Sequence, residues 1–257
     1  MSTNSTDEGL LTGRRLFLRQ VATLAGSASL APKVIGAAAV AAGSAIAAPA
    51  SAQPAGAPIA SAPAFGYESL GPDEASFVEA MVNVMCPADN LTPNGVDCGL
   101  AVFIDRQLAG GFGTGDRLYM RGPWKQGKPQ LGYQLPLTPD QFFKAGVAAA
   151  NAACRGRFDK DFDQLEPADA DAFLRDLAGG KISDIRVPLG QWFNELVYPL
   201  FTQACFADPM YGGNNGKVFW KMIGYPGLPA THTRDMVNFR GKPYPGAKDP
   251  KAIQDFS

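Results

Sequence analysis

The chain has 257 residues, 46% of them hydrophobic, with 23 basic and 24 acidic side chains and a formal net charge of −1. Beyond residue 52 the balance is 19 basic against 22 acidic side chains with no basic cluster, which speaks against nucleic acid as a partner. The single histidine, His232, removes most metal-binding and acid/base options at once.

The first segment reads as an address. In Gly13-Arg14-Arg15-Leu16-Phe17-Leu18-Arg19, two adjacent arginines run into a bulky apolar pair and a third basic residue. A weakly apolar, Ala-rich stretch follows over residues 21–49, then Ala50-Ser51-Ala52. A charged start, apolar middle and small-residue end make an export signal. Its paired arginines, with Phe17, Leu18 and Arg19, resemble the twin-arginine class. A membrane anchor is the weaker reading, because Gly26, Gly36, Gly43, Pro32 and Lys33 dilute the segment and Ala contributes little transfer energy. We expect a signal over 1–52, cut after Ala52, with Ala47 and Ala48 as alternatives. Four basic and two acidic residues lie in it, which leaves 19 against 22 in the mature part.

Residues 53–64 are Pro, Ala, Gly and Ser without period and read as a flexible leader. Order should begin near Phe65. Pro72, with Asp73 and Glu74 behind it, suits a helix start, and Phe77, Ala80, Met81, Val84 and Met85 recur at helical spacing until Pro87. Asp97 is placed to cap a second helix carrying Leu100, Phe103, Ile104 and Leu108 on one face, ended by Gly110-Gly111. Residues 112–137 show no period, yet hold Tyr119, Trp124 and Tyr133 among glycines and prolines. Loops that long are usually functional or pinned to something.

Thr138-Pro139-Asp140-Gln141 has the form of a capping box, opening a helix with Phe143, Val147, Ala150 and Cys154 on one face and an end near Gly156. Pro167 opens a shorter helix through Phe173, Leu174 and Leu177 to Gly179-Gly180. Pro188 opens the most apolar one, through Trp192, Phe193, Leu196, Val197, Leu200 and Phe201, with a kink expected at Pro199. The fold class is therefore mainly α: a single domain over 65–227 of about five helices joined by long ordered loops. The tail, 228–257, reads as irregular and apt to lie across a surface.

Familiar chemical signatures are absent or incomplete. No C-x-x-C-H or C-x-x-C spacing is present for haem, zinc or iron–sulfur. The run Gly111-Phe112-Gly113-Thr114-Gly115 follows a helix and reads as a helix stop, not a phosphate loop. Asp159, Asp161 and Asp163 alternate as in a calcium loop, but Gln164 and Ala170 stand where glycine and glutamate are required. Four cysteines lie beyond the signal. Cys86 and Cys98 flank a Pro/Gly/Asn-rich loop and are the candidate disulfide; buried small hydrophobes are the equal alternative.

The last informative stretch is Asp208-Pro209-Met210-Tyr211-Gly212-Gly213-Asn214, followed by Trp220-Lys221-Met222-Ile223-Gly224-Tyr225-Pro226-Gly227. It reads as a tight glycine-rich loop holding aromatics, too polar and bent for a core element. Together with Pro87-Ala88-Asp89, residues 101–110, Tyr119, Gly122-Pro123, residues 132–134 and residues 137–139, it resembles the gluconate 2-dehydrogenase subunit 3 family, the small subunit of exported flavin-dependent dehydrogenases. The cysteines Cys86, Cys98 and Cys205 depart from the family pattern.

The resemblance implies a non-catalytic accessory subunit with no cofactor of its own. FAD would sit in a large dehydrogenase subunit and haem c in a cytochrome c subunit, with the complex periplasmic and attached to the inner membrane. The twin-arginine translocase would be a transient partner. No catalytic residue carries over. The expected docking surface comprises Trp124, Tyr133, Asp208, Pro209, Tyr211, Gly212, Gly213, Asn214, Trp220, Lys221 and Tyr225, since aromatics are enriched at interface centres. The competing readings are that these aromatics close a small helical core, and that the chain is a self-contained exported ligand-binding protein or enzyme with His232 and the acidic loops in a site.

Overall fold

The computed structural model describes residues 66–125, 127–128, 135–229 and 231–256. The export motif, Arg14, Arg15, Phe17, Leu18 and Arg19, and the loop residue Tyr133 lie outside the described residues. Among the described residues the chain is helical, and its one β feature is an isolated bridge between Gly227 and Lys251.

The expected helices form, and most start where local chemistry starts them. Helix α1 spans Pro72–Met85, with Pro at its first position and two acidic residues in its first turn. Helix α2 spans Leu100–Ala109, and a four-residue α3, Gly111–Thr114, follows directly. Helix α4, Pro139–Phe158, opens on a complete capping box: the Thr138 hydroxyl accepts from Gln141 N–H and the Gln141 side chain accepts from Thr138 N–H. Helix α5 spans Pro167–Ala178. The last long run comprises α6, Leu189–Gln191, a π-helical segment, Trp192–Val197, and α7, Tyr198–Phe206.

These helices close over one aromatic centre. Phe77 of α1 packs on Phe162 at 4.7 Å and on Trp192 at 6.2 Å, and Phe143 of α4 meets Trp192 at 6.1 Å. Trp192 is fully buried, and its indole N–H donates to the Phe143 carbonyl at 3.2 Å. A buried indole needs such an acceptor, because an unmet donor would cost more than the bond returns.

Several expectations need correction. Asp97 does not cap α2: its carboxylate accepts from Asn94, and the position before the helix is Gly99, left-handed at φ +77°. A side chain at Gly99 would put its Cβ 2.2 Å from the Gly212 carbonyl, so close approach of two loops selects glycine there. Helix α4 runs past Gly156 to Phe158, its end tied down by the Arg157–Asp176 ion pair at 2.7 Å. Pro199 is absorbed by the wider π turn before it, which relieves the bond that proline cannot donate. The Gly111 to Gly115 run is a short helix closed by left-handed Gly115, as a helix stop requires.

The tail is more regular than expected. It carries helix α9, Thr233–Asn238, and 3-10 turns at Pro245–Lys248 and Ile253–Phe256. It lies back across the 208–227 stretch: Leu228 N–H donates to the Lys251 carbonyl at 2.8 Å, and Lys251 N–H to the Pro226 carbonyl at 3.0 Å. No helix among the described residues is long and apolar enough to cross a membrane.

Candidate partner interface

The 208–227 stretch is built from polar side chains turned inward. Asp208 caps a 3-10 turn, Pro209–Tyr211, by accepting from Met210 N–H at 3.1 Å, and its other oxygen accepts from Ile253 N–H of the tail at 2.9 Å. Gly212, at φ +99°, and Gly213 bring the backbone against α2 and α7. A Cβ on Gly212 would meet Arg106 at 2.9 Å, and one on Gly213 would meet the Ala204 carbonyl at 2.4 Å. Asn214 is wholly buried and left-handed; its amide donates to the Ala207 carbonyl at 3.2 Å and accepts from Phe219 N–H at 3.0 Å. Asn215 reaches the other way, donating to the carbonyls of Cys98 at 3.0 Å and Asp97 at 3.2 Å.

The second half of the motif is not a loop. Residues Val218–Ile223 form helix α8, closed by left-handed Gly224, and it buries Phe219 and Trp220. The Trp220 indole donates to the Phe206 carbonyl at 2.8 Å, and its ring meets Tyr225 edge-on at 5.1 Å. Trp220, Gly213 and Asn214 therefore leave the list of surface anchors. They hold the stretch in place from within: the side chains of Asn214 and Trp220 are buried and bonded to the neighbouring backbone, and Gly213 packs against the Ala204 carbonyl.

What remains outside is an apolar shelf. Tyr211, Met210 and Phe206 are each exposed by more than two fifths, beside an open cleft of about 430 Å³ that Phe103, Gln107, Gln203 and Ala207 complete. Lys221 and Tyr225 are exposed on the α8 side. Sequence reasoning missed Phe206 and Met210, which read as the end of an apolar helix and as a variable motif position. Trp124 is exposed at 42% in the separate segment after α3, its ring lying against Gly122.

A larger cleft of about 600 Å³ opens between α4 and the segment before α1, lined in part by Ser69, Thr138, Asp140, Gln141 and Lys144. Its polar groups bond one another: Ser69 donates to Asp140 at 2.6 Å and Lys144 pairs with Asp140 at 3.0 Å. His232 is elsewhere, tied to Asp235 and to the Gly227 carbonyl at 3.2 Å each, so it serves the tail and does not line this cleft. The Asp235 carboxylate beside it, then the Gly227 carbonyl, hold its pKa above the usual histidine value.

One buried carboxylate was also overlooked. Asp105 on α2 is 2% exposed and accepts three backbone N–H groups, from Glu68, Ser69 and Leu70, at 2.8 to 2.9 Å. An acidic residue between Ala101 and Leu108 on the apolar face of a helix was the signal that marked it. The four cysteines are all buried thiols. Burial pushes the Cys154 thiol up to about 12, and Cys98 is raised first by a hydrogen bond with Cys86 and then by burial. Among the described residues no cluster of histidine, cysteine and acidic groups could hold a metal ion.

The buried residues of the 208–227 stretch thus hold it in place and leave an apolar shelf at the surface. The gluconate 2-dehydrogenase subunit 3 family matches residues 72–227, from the first residue of α1 to the bridge at Gly227 and more than half of the chain. The chain belongs to that family, whose name is that of a subunit within a dehydrogenase complex. No curated protein and no solved structure matches it.

Proposed function

We propose that this chain is the accessory, signal-bearing subunit of an exported flavin-dependent dehydrogenase acting on a sugar acid or polyol. FAD resides in the large subunit that it accompanies, and haem c in a cytochrome c subunit that takes the electrons onward. The observation that carries the reading is the shelf of Phe206, Met210 and Tyr211, exposed within the span that the family matches. Exposed apolar groups on a rigid, internally bonded loop bind with little ordering cost, which is what a permanent partner site needs. The paired arginines support the rest: a folded large subunit without its own signal travels to the periplasm with this one through the twin-arginine translocase.

The test uses the full chain in cells. Replacing Arg14 and Arg15 by lysine should strand this chain and the flavoprotein together in the cytoplasm, seen by fractionation and flavin fluorescence. Normal export of a signal-less flavoprotein in that strain would overturn the reading.

A further inference from the structure

Cys86 and Cys98 stand at two helix ends. Cys86 caps the C-terminus of α1 and Cys98 immediately precedes Gly99, where α2 begins. The loop between them folds back so that both sulfurs reach one acceptor: the Cys86 thiol lies 3.8 Å and the Cys98 thiol 3.6 Å from the Pro93 carbonyl. The Cys86 sulfur also lies 3.8 Å from the Thr92 hydroxyl in the same loop. They are 0% and 1% exposed, under a loop whose Pro87, Asn90, Leu91 and Pro93 face solvent. The same loop end supports the shelf motif, since the carbonyls of Asp97 and Cys98 receive both donors of Asn215.

We propose that Cys86 and Cys98 are a disulfide-forming pair whose oxidation locks the 87–97 loop and, through Asn215, the shelf motif beside it. The pairing rests on the geometry of the two thiols; its relevance in the cell and the role of the motif rest on the export and docking readings above. The oxidant is a disulfide, either of a small thiol such as glutathione or of an exported thiol oxidant. One protein thiolate attacks it, forming a mixed disulfide and releasing one thiol. The second protein thiolate then attacks the protein-side sulfur and releases the other thiol. Two protein thiols are oxidised, one external disulfide is reduced, and the two protons end on the released thiols. A raised Cys98 pKa and full burial slow this exchange in the folded protein, so the bond forms while the loop is open and is then shielded from reductants.

The experiment refolds the full chain from denaturant in a glutathione redox buffer, alkylates the remaining thiols and maps the peptides by mass spectrometry. Expected is one bond, Cys86 to Cys98, with Cys154 and Cys205 alkylated. The same bond should form in a Cys205→Ser variant. The oxidised protein should melt roughly 6 to 12 °C above the dithiothreitol-treated one, given the stabilisation typical of a closed loop this short. Amide exchange over residues 208–217 should slow on oxidation. Four alkylated cysteines, or a bond through Cys154 or Cys205, would overturn the pairing; a Cys86–Cys98 bond with unchanged exchange at 208–217 would overturn the coupling. Neither result depends on whether the chain is exported, which the arginine replacements test separately.

Discussion

The indole of Trp220 donates to the carbonyl of Phe206 across 2.8 Å, while Tyr211, nine residues earlier in the same motif, is 47% exposed. On the docking reading, two aromatics that look alike in sequence serve different equilibria. Trp220→Ala removes a buried ring and orphans a carbonyl, and should destabilise the isolated chain by about 3 to 5 kcal/mol. Tyr211→Ala should leave folding within about 0.5 kcal/mol and weaken association with the large subunit by about 2 kcal/mol or more. Denaturant unfolding of each variant, beside pull-down of the flavoprotein, separates them. Equal loss of stability in both would mean that Tyr211 is also a staple.

Asp105 offers a sharper test of what holds the approach to α1. One of its oxygens accepts from Ser69 and Leu70, the other from Glu68. Asn keeps the first oxygen but points an amide N–H₂ at a backbone N–H, whereas Ala abandons all three donors. Expected losses are about 1 to 2 kcal/mol for Asp105→Asn and about 3 kcal/mol for Asp105→Ala, since charge-assisted bonds are worth more and orphaned donors cost more. Urea titrations that show no difference between the two variants would count against the arrangement.

These cases show which parts of the molecule were legible in the sequence. Starts set by local chemistry were readable: Pro72, Pro167 and the Thr138–Gln141 box act through neighbours within one turn. Features set by distant contacts were not. Helix α8 is six residues long, too short for a period to show, and Trp220 is buried where its indole reaches the Phe206 carbonyl, fourteen residues earlier. Gly99 displaced Asp97 from the helix start because Gly212, far away in sequence, presses on it. The shelf had the same difficulty: Phe206 is the last residue of α7, and its ring meets Phe219, thirteen residues further on, at 6.0 Å.

The tail should respond to pH through His232. Its two ring nitrogens face an acceptor each, the Asp235 carboxylate and the Gly227 carbonyl, and Asp235 also accepts from the Tyr244 hydroxyl at 3.1 Å. Only the protonated ring donates to both acceptors at once. The folded pKa lies above that of the unfolded chain, so the contribution is fully present below about pH 6.5 and is lost as pH rises through the folded value. Amide exchange over 226–252 should therefore quicken as pH rises through that window, after correction for intrinsic rates. His232→Gln should flatten the dependence; an unchanged profile in that variant would assign the effect to another group.

Two glycines of helix α4 set packing against propensity. In an exposed helix interior, Gly→Ala gains roughly 0.5 to 1 kcal/mol, because alanine forfeits less backbone freedom on folding. Gly156 is exposed and a Cβ there meets nothing within 4 Å, so Gly156→Ala should show that gain, read as a rise in melting temperature of about 2 to 4 °C at most. Gly146 lies in the same helix, but its Cβ would stand 2.1 Å from the Trp192 indole nitrogen and 2.2 Å from the adjoining ring carbon. Trp192 is fully buried between Phe77 and Phe143 and bonded to the Phe143 carbonyl, so it has nowhere to retreat. Forcing it aside costs about 1 to 3 kcal/mol of overpacking and about 1 kcal/mol for the hydrogen bond, which together exceed the propensity gain. Gly146→Ala should accordingly lower the melting temperature while Gly156→Ala raises it. A rise in both would mean that Trp192 is not the wedge against which α4 is packed.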